Sequence, residues 1–372
     1  MPPRGVQALI LAGGEGTRLR PLTSTVPKPV VPLVDRPFIV YMIEWLRGHG
    51  VDDVILACGF MADGVRAVLG DGSALGVRLR YIEEPEPLGT GGPLKFAEDL
   101  LAERFFMLNG DVLTDIDLTA QLRQHEQTGA RATLALIGVD DPSSYGLVRL
   151  ADDLSVRAFV EKPSPEEGGT HLINAGAYIL ERDVLEGMAP SGTKISIERE
   201  VFPTLVDNGL YGYAASGYWM DIGTPERYLQ ATFEILEGDV RTEVGRAVAE
   251  AGGVLRRGGK GAGVVHGPAL LGEGCELADT SHVGARTVLG REVRVGSGAH
   301  IDNSVVLDGS RIGAGTRVTG SIVGPHVTIG ERCRIEGRVV LGEGVNVGAG
   351  NTLLEGMRIF PGVQLPDGAI AF

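Results

Sequence analysis

The chain has 372 residues, 43% of them apolar and 22% charged, with a net charge of −14. That length exceeds what one core usually absorbs, so two domains are expected, and the acidic surface argues against nucleic acid or an anionic membrane as partners. The 56 glycines beside only 5% aromatics point to a glycine-rich β architecture in part of the chain.

Val6–Leu11 reads as a buried strand. The apolar stretch Val6–Ala12 is too short to span a membrane and runs into Gly13-Gly14 with no cleavage site, so a cytoplasmic location is expected. Phe38–Arg47 has helical spacing and stops at Gly48. Val54–Cys58, Val77–Glu83, Phe105–Leu108 and Ala132–Val139 read as strands, and Pro93–Leu101 and Leu118–Gln127 as helices. The alternation predicts an α/β, Rossmann-like domain over residues 1–236, with a mostly parallel sheet and ligands at the carboxyl ends of its strands. Residues 237–263 read as a linker, because Gly252-Gly253, Gly258-Gly259 and Gly261 are mixed with Arg256, Arg257 and Lys260.

Residues 264–372 follow another rule. Steps of six from Val265 reach Leu271, Leu277, Val283, Leu289, Val295, Ile301 and Leu307. Steps of six from Val323 reach Ile329, Ile335, Leu341, Val347, Leu353, Ile359 and Leu365, while Val306, Ile312 and Val318 keep the spacing in a shifted phase. A period of six is the hexapeptide signature of a left-handed parallel β-helix, three short strands to the coil. Glycines such as Gly272, Gly290, Gly296, Gly330 and Gly348 are expected to permit its corners. The phase changes near 307 and 319 predict a loop or a misfitted coil. Cys58, Cys275 and Cys333 have no metal or disulfide spacing and are expected to be buried thiols.

The opening motif, Leu11-Ala12-Gly13-Gly14-Glu15-Gly16-Thr17-Arg18-Leu19-Arg20-Pro21-Leu22-Thr23, has glycines just after a strand. Backbone N–H groups there can turn towards a phosphate, and Arg18 can clamp its oxygens. No Gly-Lys-Ser/Thr follows and the G-x-G-x-x-G spacing fails, which excludes the two commonest nucleotide loops. In Pro27-Lys28-Pro29 two prolines stiffen the backbone around one cation.

With Glu86-Pro-Leu-Gly-Thr90, Leu108-Asn-Gly-Asp111, Tyr145-Gly146, Phe159-Val-Glu-Lys-Pro163, Ile173-Asn-Ala-Gly176, Ser196-Ile-Glu-Arg-Glu-Val-Phe-Pro203 and Gly217-Tyr-Trp-Met-Asp-Ile-Gly-Thr-Pro225, these strings resemble the sugar-1-phosphate nucleotidyltransferase family, above all its mannose-1-phosphate guanylyltransferases. The resemblance implies Asp111 and Asp221 as Mg²⁺ ligands, and carboxylates suit that hard cation. It implies Arg18 and Lys28 as the catalytic cations that hold the β- and γ-phosphates and the departing pyrophosphate. Leu11, Ala12, Gly13, Gly14, Glu84, Leu88, Gly89, Thr90, Asn109 and Gly110 would bind the nucleotide, and Gly146, Glu161, Lys162 and Asn174 the sugar phosphate. A phosphate monoester is already anionic at neutral pH, so the attack on the α-phosphorus needs no general base.

Glu84 favours GTP, because an acceptor-only carboxylate matches the adjacent N1–H and N2 donors of guanine. The resemblance implies mannose 1-phosphate as the acceptor; glucose 1-phosphate or a cyclitol phosphate fits the same residues, with thymidylyl or uridylyl transfer as a further alternative. Two other classes stand beside these. The β-helix would be an acyltransferase using His266, His282, His300 or His326, or the chain would be a non-catalytic nucleotide-sugar-binding subunit. Intact Arg18, Lys28, Asp111 and Asp221 argue against the second. The exposed coil ends of a solenoid predict a homo-oligomer.

Overall fold

A computed structural model of the chain describes residues 6–139, 145–161 and 171–371. The chain divides into two compact units, Met1–Glu15 with Ile39–Trp219, and Gly16–Phe38 with Met220–Phe372. The first division falls inside the glycine-rich motif.

In the first unit the strands β1 (Val6–Leu11), β2 (Val51–Cys58), β3 (Arg78–Glu83) and β4 (Arg104–Asn109) run parallel, side by side in the order β3-β2-β1-β4. Ala8–Ile10 of β1, Val54–Ala57 of β2 and Phe105–Leu108 of β4 are buried and apolar on both faces, as a covered parallel sheet requires, while the edge strand β3 buries only Leu79 and Ile82. Further along the chain come β5 (Ala132–Gly138), β6 (Gly146–Leu150), β7 (Val156–Glu161), β8 (Leu172–Glu181) and β9 (Leu210–Ala214). Strand β8 joins β4 antiparallel and passes the sheet on to β5 and β6. The core around Leu9, Phe105, Met107, Leu134, Tyr178 and Phe202 is continuous across this sheet.

The register decides where function can lie. Leu11 pairs with Ala57 on one side and Asn109 on the other, and Cys58 pairs with Glu83. The carboxyl ends of all four parallel strands therefore finish along one edge.

The expected helices at the chain's start form as α1 (Phe38–Gly48) and α2 (Leu118–Thr128). Asp117 caps α2 by accepting from the Ala120 N–H at 3.0 Å, and Gly129 in the left-handed region ends it. The helix expected over Pro93–Leu101 is interrupted. It holds only for Gly92–Phe96, after which Ala97 leaves helical backbone at φ −92°, ψ 1° and a single 3₁₀ turn follows.

In the second unit the period of six is realised as three parallel sheets of seven, six and six short strands, the left-handed parallel β-helix expected from the sequence. Leu271, Leu277, Val283, Leu289, Val295 and Ile301 point into its core. The phase changes are neither a loop nor a misfit. Leu271 pairs with Leu289, 18 residues along, but Leu289 pairs with Val306, 17 along. A corner one residue shorter at Asp302–Ser304, with Asn303 at φ 47°, carries the inward row from Ile301 to Val306. A second short corner after Thr319 moves it from Val318 to Val323.

The glycines act differently from expectation. Gly272 and Gly330 are not in the left-handed region; a Cβ on either would strike the backbone of Gly290 or of Gly348-Ala349 in the next coil. They are required by the close stacking of coils.

Segment 237–263 holds the helix α4 (Glu243–Glu250) and the strand Val254–Arg256, which pairs with Ala269–Leu271 and so starts the β-helix. The preceding helix, α3 (Pro225–Glu237), is capped by Thr224 and closed by Gly238. The outward residues Leu270, Val288, Val305, Ile322 and Val340 of the seven-stranded sheet are buried. Polar ties join this unit's pieces: Arg286 to Glu237 at 2.6 Å and Arg257 to Asp35 at 2.5 Å. All three cysteines are free and buried, and burial pushes the Cys58 thiol up to about 12. Among the described residues no helix is long and apolar enough to cross a membrane.

Candidate active site

The first unit assembles its part along the carboxyl edge of the sheet. Ala12 continues the parallel pairing by donating to Ala57 O at 2.8 Å. Gly13 follows, and a Cβ on it would lie 3.0 Å from Oε1 of Glu84. Gly110 donates to Leu11 O at 3.0 Å so closely that a Cβ there would overlap that carbonyl. The backbone can thus approach a ligand without side-chain obstruction.

Glu84 follows β3 and is half-buried. Its Oε2 accepts from the Leu88 N–H at 3.0 Å, which fixes the carboxylate, while Oε1 faces Gly13. Burial raises its pKa above the usual carboxylate value, and the Leu88 bond offsets part of that rise. Asn109 ends β4, and its Oδ1 is buried with no hydrogen-bond partner, an acceptor awaiting a donor or a cation. Gly176, at φ 71°, packs against the Asn109 side chain. Asp111 follows two residues on, half-buried.

Leu88–Gly91 is zipped to Ile195: Ile195 N–H donates to Leu88 O at 2.9 Å and Gly91 N–H to Ile195 O at 2.8 Å. Thr90 Oγ1 donates to Glu198 Oε2 at 2.7 Å and accepts from the Ile197 N–H at 3.0 Å. Ser196 donates to the same Glu198 oxygen at 2.8 Å. A cavity of ≈ 510 Å³ opens here. The expected residues Gly89, Thr90, Gly146 and Asn174 line it together with Tyr145, Phe159, Ser196, Glu198 and Arg199, to which the sequence assigns no role. The string Ser196–Pro203 was the available signal, but nothing in it distinguishes Glu198 from Glu200.

Asn174 is also spent locally. Its Nδ2 donates to Tyr178 at 2.9 Å and its Oδ1 accepts from the Gly176 N–H at 3.0 Å, so it shapes the turn as well as lining the cavity. Glu161 ends β7; its side chain and Lys162 lie outside the described residues.

The second unit carries Arg18, Lys28 and Asp221. Gly16, at φ 62°, opens the short 3₁₀ turn Thr17–Leu19 and sits against Lys28 and Thr23. Thr23 Oγ1 donates to Gly16 O at 2.8 Å and fixes the turn. Lys28 begins a second 3₁₀ turn with Pro29 inside it and Pro27 before it, as the Pro-Lys-Pro string predicts.

Asp221 is ion-paired with Arg227 of α3, and Arg227 also donates to the Asp221 carbonyl at 3.4 Å. Gly223 is buried beneath Arg18: a Cβ there would lie 2.9 Å from Arg18 Nη2 and 3.5 Å from Asp221 Oδ2. A guanidinium and a carboxylate thus converge over one glycine.

Asp111 and Asp221 offer hard oxygen donors, and the unpartnered Asn109 Oδ1 is a neutral one. Among the described residues no three of His, Cys, Asp and Glu form a protein-made metal cage. Such donors fit a cation that takes most of its ligands from phosphate and water, as Mg²⁺ does.

The family described as "Nucleotidyl transferase" matches residues 7–238, and the "GMPPB C-terminal domain" matches residues 265–368. The chain is 38% identical over 376 residues to a mannose-1-phosphate guanylyltransferase of Mycobacterium tuberculosis, covering 100% of this chain and 99% of the relative. It is 38% identical to probable mannose-1-phosphate guanylyltransferase 1 of Oryza sativa, covering 92% of each. The crystal structure of HddC from Yersinia pseudotuberculosis complexed with GMP-PN superposes with a TM-score of 0.53 at 31% identity, covering 61% of this chain and 98% of that one. The chain belongs to the nucleotidyl transferase family.

Proposed function

We propose that the chain transfers a guanylyl group from GTP to mannose 1-phosphate, giving GDP-mannose and pyrophosphate. The observation that carries the choice of base is Glu84, a half-buried carboxylate at the sheet's carboxyl edge with Oε1 facing the glycine loop. It accepts from the two adjacent donors of guanine and offers nothing to the acceptors of uracil or thymine. The choice of sugar rests on the names of the full-length relatives.

Ala12, Gly13 and Gly110 let the backbone approach the nucleotide, which Gly89 and Thr90 also face, and Gly146 and Asn174 on the same cavity take the sugar phosphate with Glu161 and Lys162. Arg18 and Lys28 neutralise the pyrophosphate as it leaves, and their value lies in being placed before charge develops. Asp111 in the first unit and Asp221 in the second would be the ligands of a divalent cation, for which Mg²⁺ is the choice, and it would supply neutralisation of phosphate charge. The sugar phosphate attacks as an anion already formed at neutral pH, so no proton has to be removed. The β-helix serves assembly of a homo-oligomer, which light scattering would count.

The test is a substrate matrix: GTP, ATP, UTP and dTTP against mannose, glucose and cyclitol phosphates, with pyrophosphate as the readout. GTP with mannose 1-phosphate should lead. Preference for UTP or dTTP would sink the role of Glu84, and silence in every pair would mark a binding subunit.

A further inference from the structure

Arg358 lies on the strand Arg358–Ile359, the last of the seven-stranded sheet of the β-helix. Its Nη1 donates to Arg18 O at 3.0 Å and to Arg20 O at 3.1 Å. One guanidinium nitrogen therefore bridges two carbonyls that flank buried Leu19, in the turn whose side chain Arg18 is aimed over Gly223. These bonds carry a full charge on the donor, which makes them stronger than a neutral pair.

The charge of Arg358 is also felt at the start of α3. Burial acts to raise the Glu226 carboxyl, but its own backbone N–H, Thr224 and the charges of Arg338 and Arg358 outweigh it and hold the group below its usual value. Glu226 is in the first turn of α3, five residues beyond Asp221. Arg358 thus acts on the Arg18 turn through hydrogen bonds and on the start of α3 through its charge.

We infer that Arg358 is a positioning residue for transfer, which fixes the backbone of the Arg18 turn so that the guanidinium is in place when pyrophosphate departs. The inference rests on the proposed role of Arg18. It also gives the solenoid a part in the reaction beyond assembly, through a residue 340 positions along the chain from the one it serves.

Displacement of a group by about 1 Å from outside a site can cost about a hundredfold in rate. Arg358→Met keeps the length of the side chain and removes the donors; it should lower kcat at least tenfold with little change in KM for the sugar phosphate. Arg358→Lys keeps a charged donor on a long side chain and should recover part of that loss. In an Arg18→Ala background, Arg358→Met should add nothing, because the group it positions is gone. Hydrogen exchange of residues 16–22 should quicken in Arg358→Met.

Full kcat in Arg358→Met, or the same fractional loss with and without Arg18, would overturn the positioning role. So would Lys being no better than Met. If instead Arg18→Ala itself turns over normally, the proposed site is what fails, while the exchange rates still report whether Arg358 holds the turn.

Discussion

Gly223 and Arg18 are locked together: a single methyl group on the glycine would stand 2.9 Å from Nη2 of the arginine. Gly223 is not in the left-handed region, so alanine is allowed by its backbone. Replacing a glycine at such a position commonly stabilises a fold by ~0.4–1 kcal/mol through the unfolded chain. Gly223→Ala should therefore melt at the parent's temperature or above it, because the end of a flexible side chain can move aside. The cost should fall on transfer, with kcat/KM down about tenfold to a hundredfold. Thermal melting and pyrophosphate release, measured on one preparation, separate the two effects.

Glu84 links base choice to pH. Burial lifts its pKa above 4.5 in the folded state. A carboxyl raised in this way supports folding while protonated, below about pH 4.5, and loses that contribution as pH rises through its folded value. At pH 7 the charged group is a liability to the fold. Glu84→Gln should therefore be at least as stable as the parent at pH 7, its advantage narrowing as pH falls towards 4.5. The amide oxygen of the glutamine can still accept from the Leu88 N–H, as Glu84 Oε2 does. Hydrogen bonds to a charged group are worth ~1.5–3 kcal/mol, so kcat/KM for GTP should fall about tenfold to a hundredfold. Denaturant unfolding at pH 5 and 7, with GTP and UTP kinetics, checks both halves.

Gly176 holds φ 71°, where a side chain costs ~1–2 kcal/mol. A Cβ there would also meet Nδ2 of Asn109 at 2.7 Å. Gly176→Ala should lower the unfolding free energy by about that amount and move Asn109. Urea melts and the KM for the triphosphate are the measurements.

The proposed cation carries its own test. A chelator should abolish pyrophosphate release and added Mg²⁺ should restore it. Asp111→Asn and Asp221→Asn should each shift half-maximal activation to higher Mg²⁺. For Asp221→Asn the partner Arg227 loses its ion pair, so Arg227→Gln is the control that separates the two effects. Activity that survives exhaustive chelation would remove Mg²⁺ from the scheme.

Much of the fold was legible because it is periodic. The step of six from Val265 names the inward residues as far as Ile301, and the strand-ending motifs at Leu11 and Asn109 reach one edge because parallel pairing puts them there. What escaped was set by partners distant in the chain. The short corner at Asn303 is defined by how one coil stacks on another, so the sequence showed only a lost phase. Gly272 looks like a corner glycine until its neighbour Gly290 is placed above it. Glu198 was hidden for the same reason: its bond to Thr90 spans 108 residues. That the turn bearing Arg18 groups with the solenoid could not be read from residues 16–38 at all.

That grouping has a consequence for the order in which the protein comes into being. Tyr228 donates to Pro32 O across 196 residues, and Arg358 grasps the Arg18 turn across 340. At about 5–20 residues per second, tens of seconds pass on the ribosome between making the turn and making the residues that hold it. The parallel sheet can form early and Thr23 can fix the Arg18 turn locally, but the turn gains its bonds to Arg358 only when that coil emerges. A chain cut short before Arg358 would carry every motif of the sheet but lack the two bonds by which Arg358 ties down the Arg18 turn.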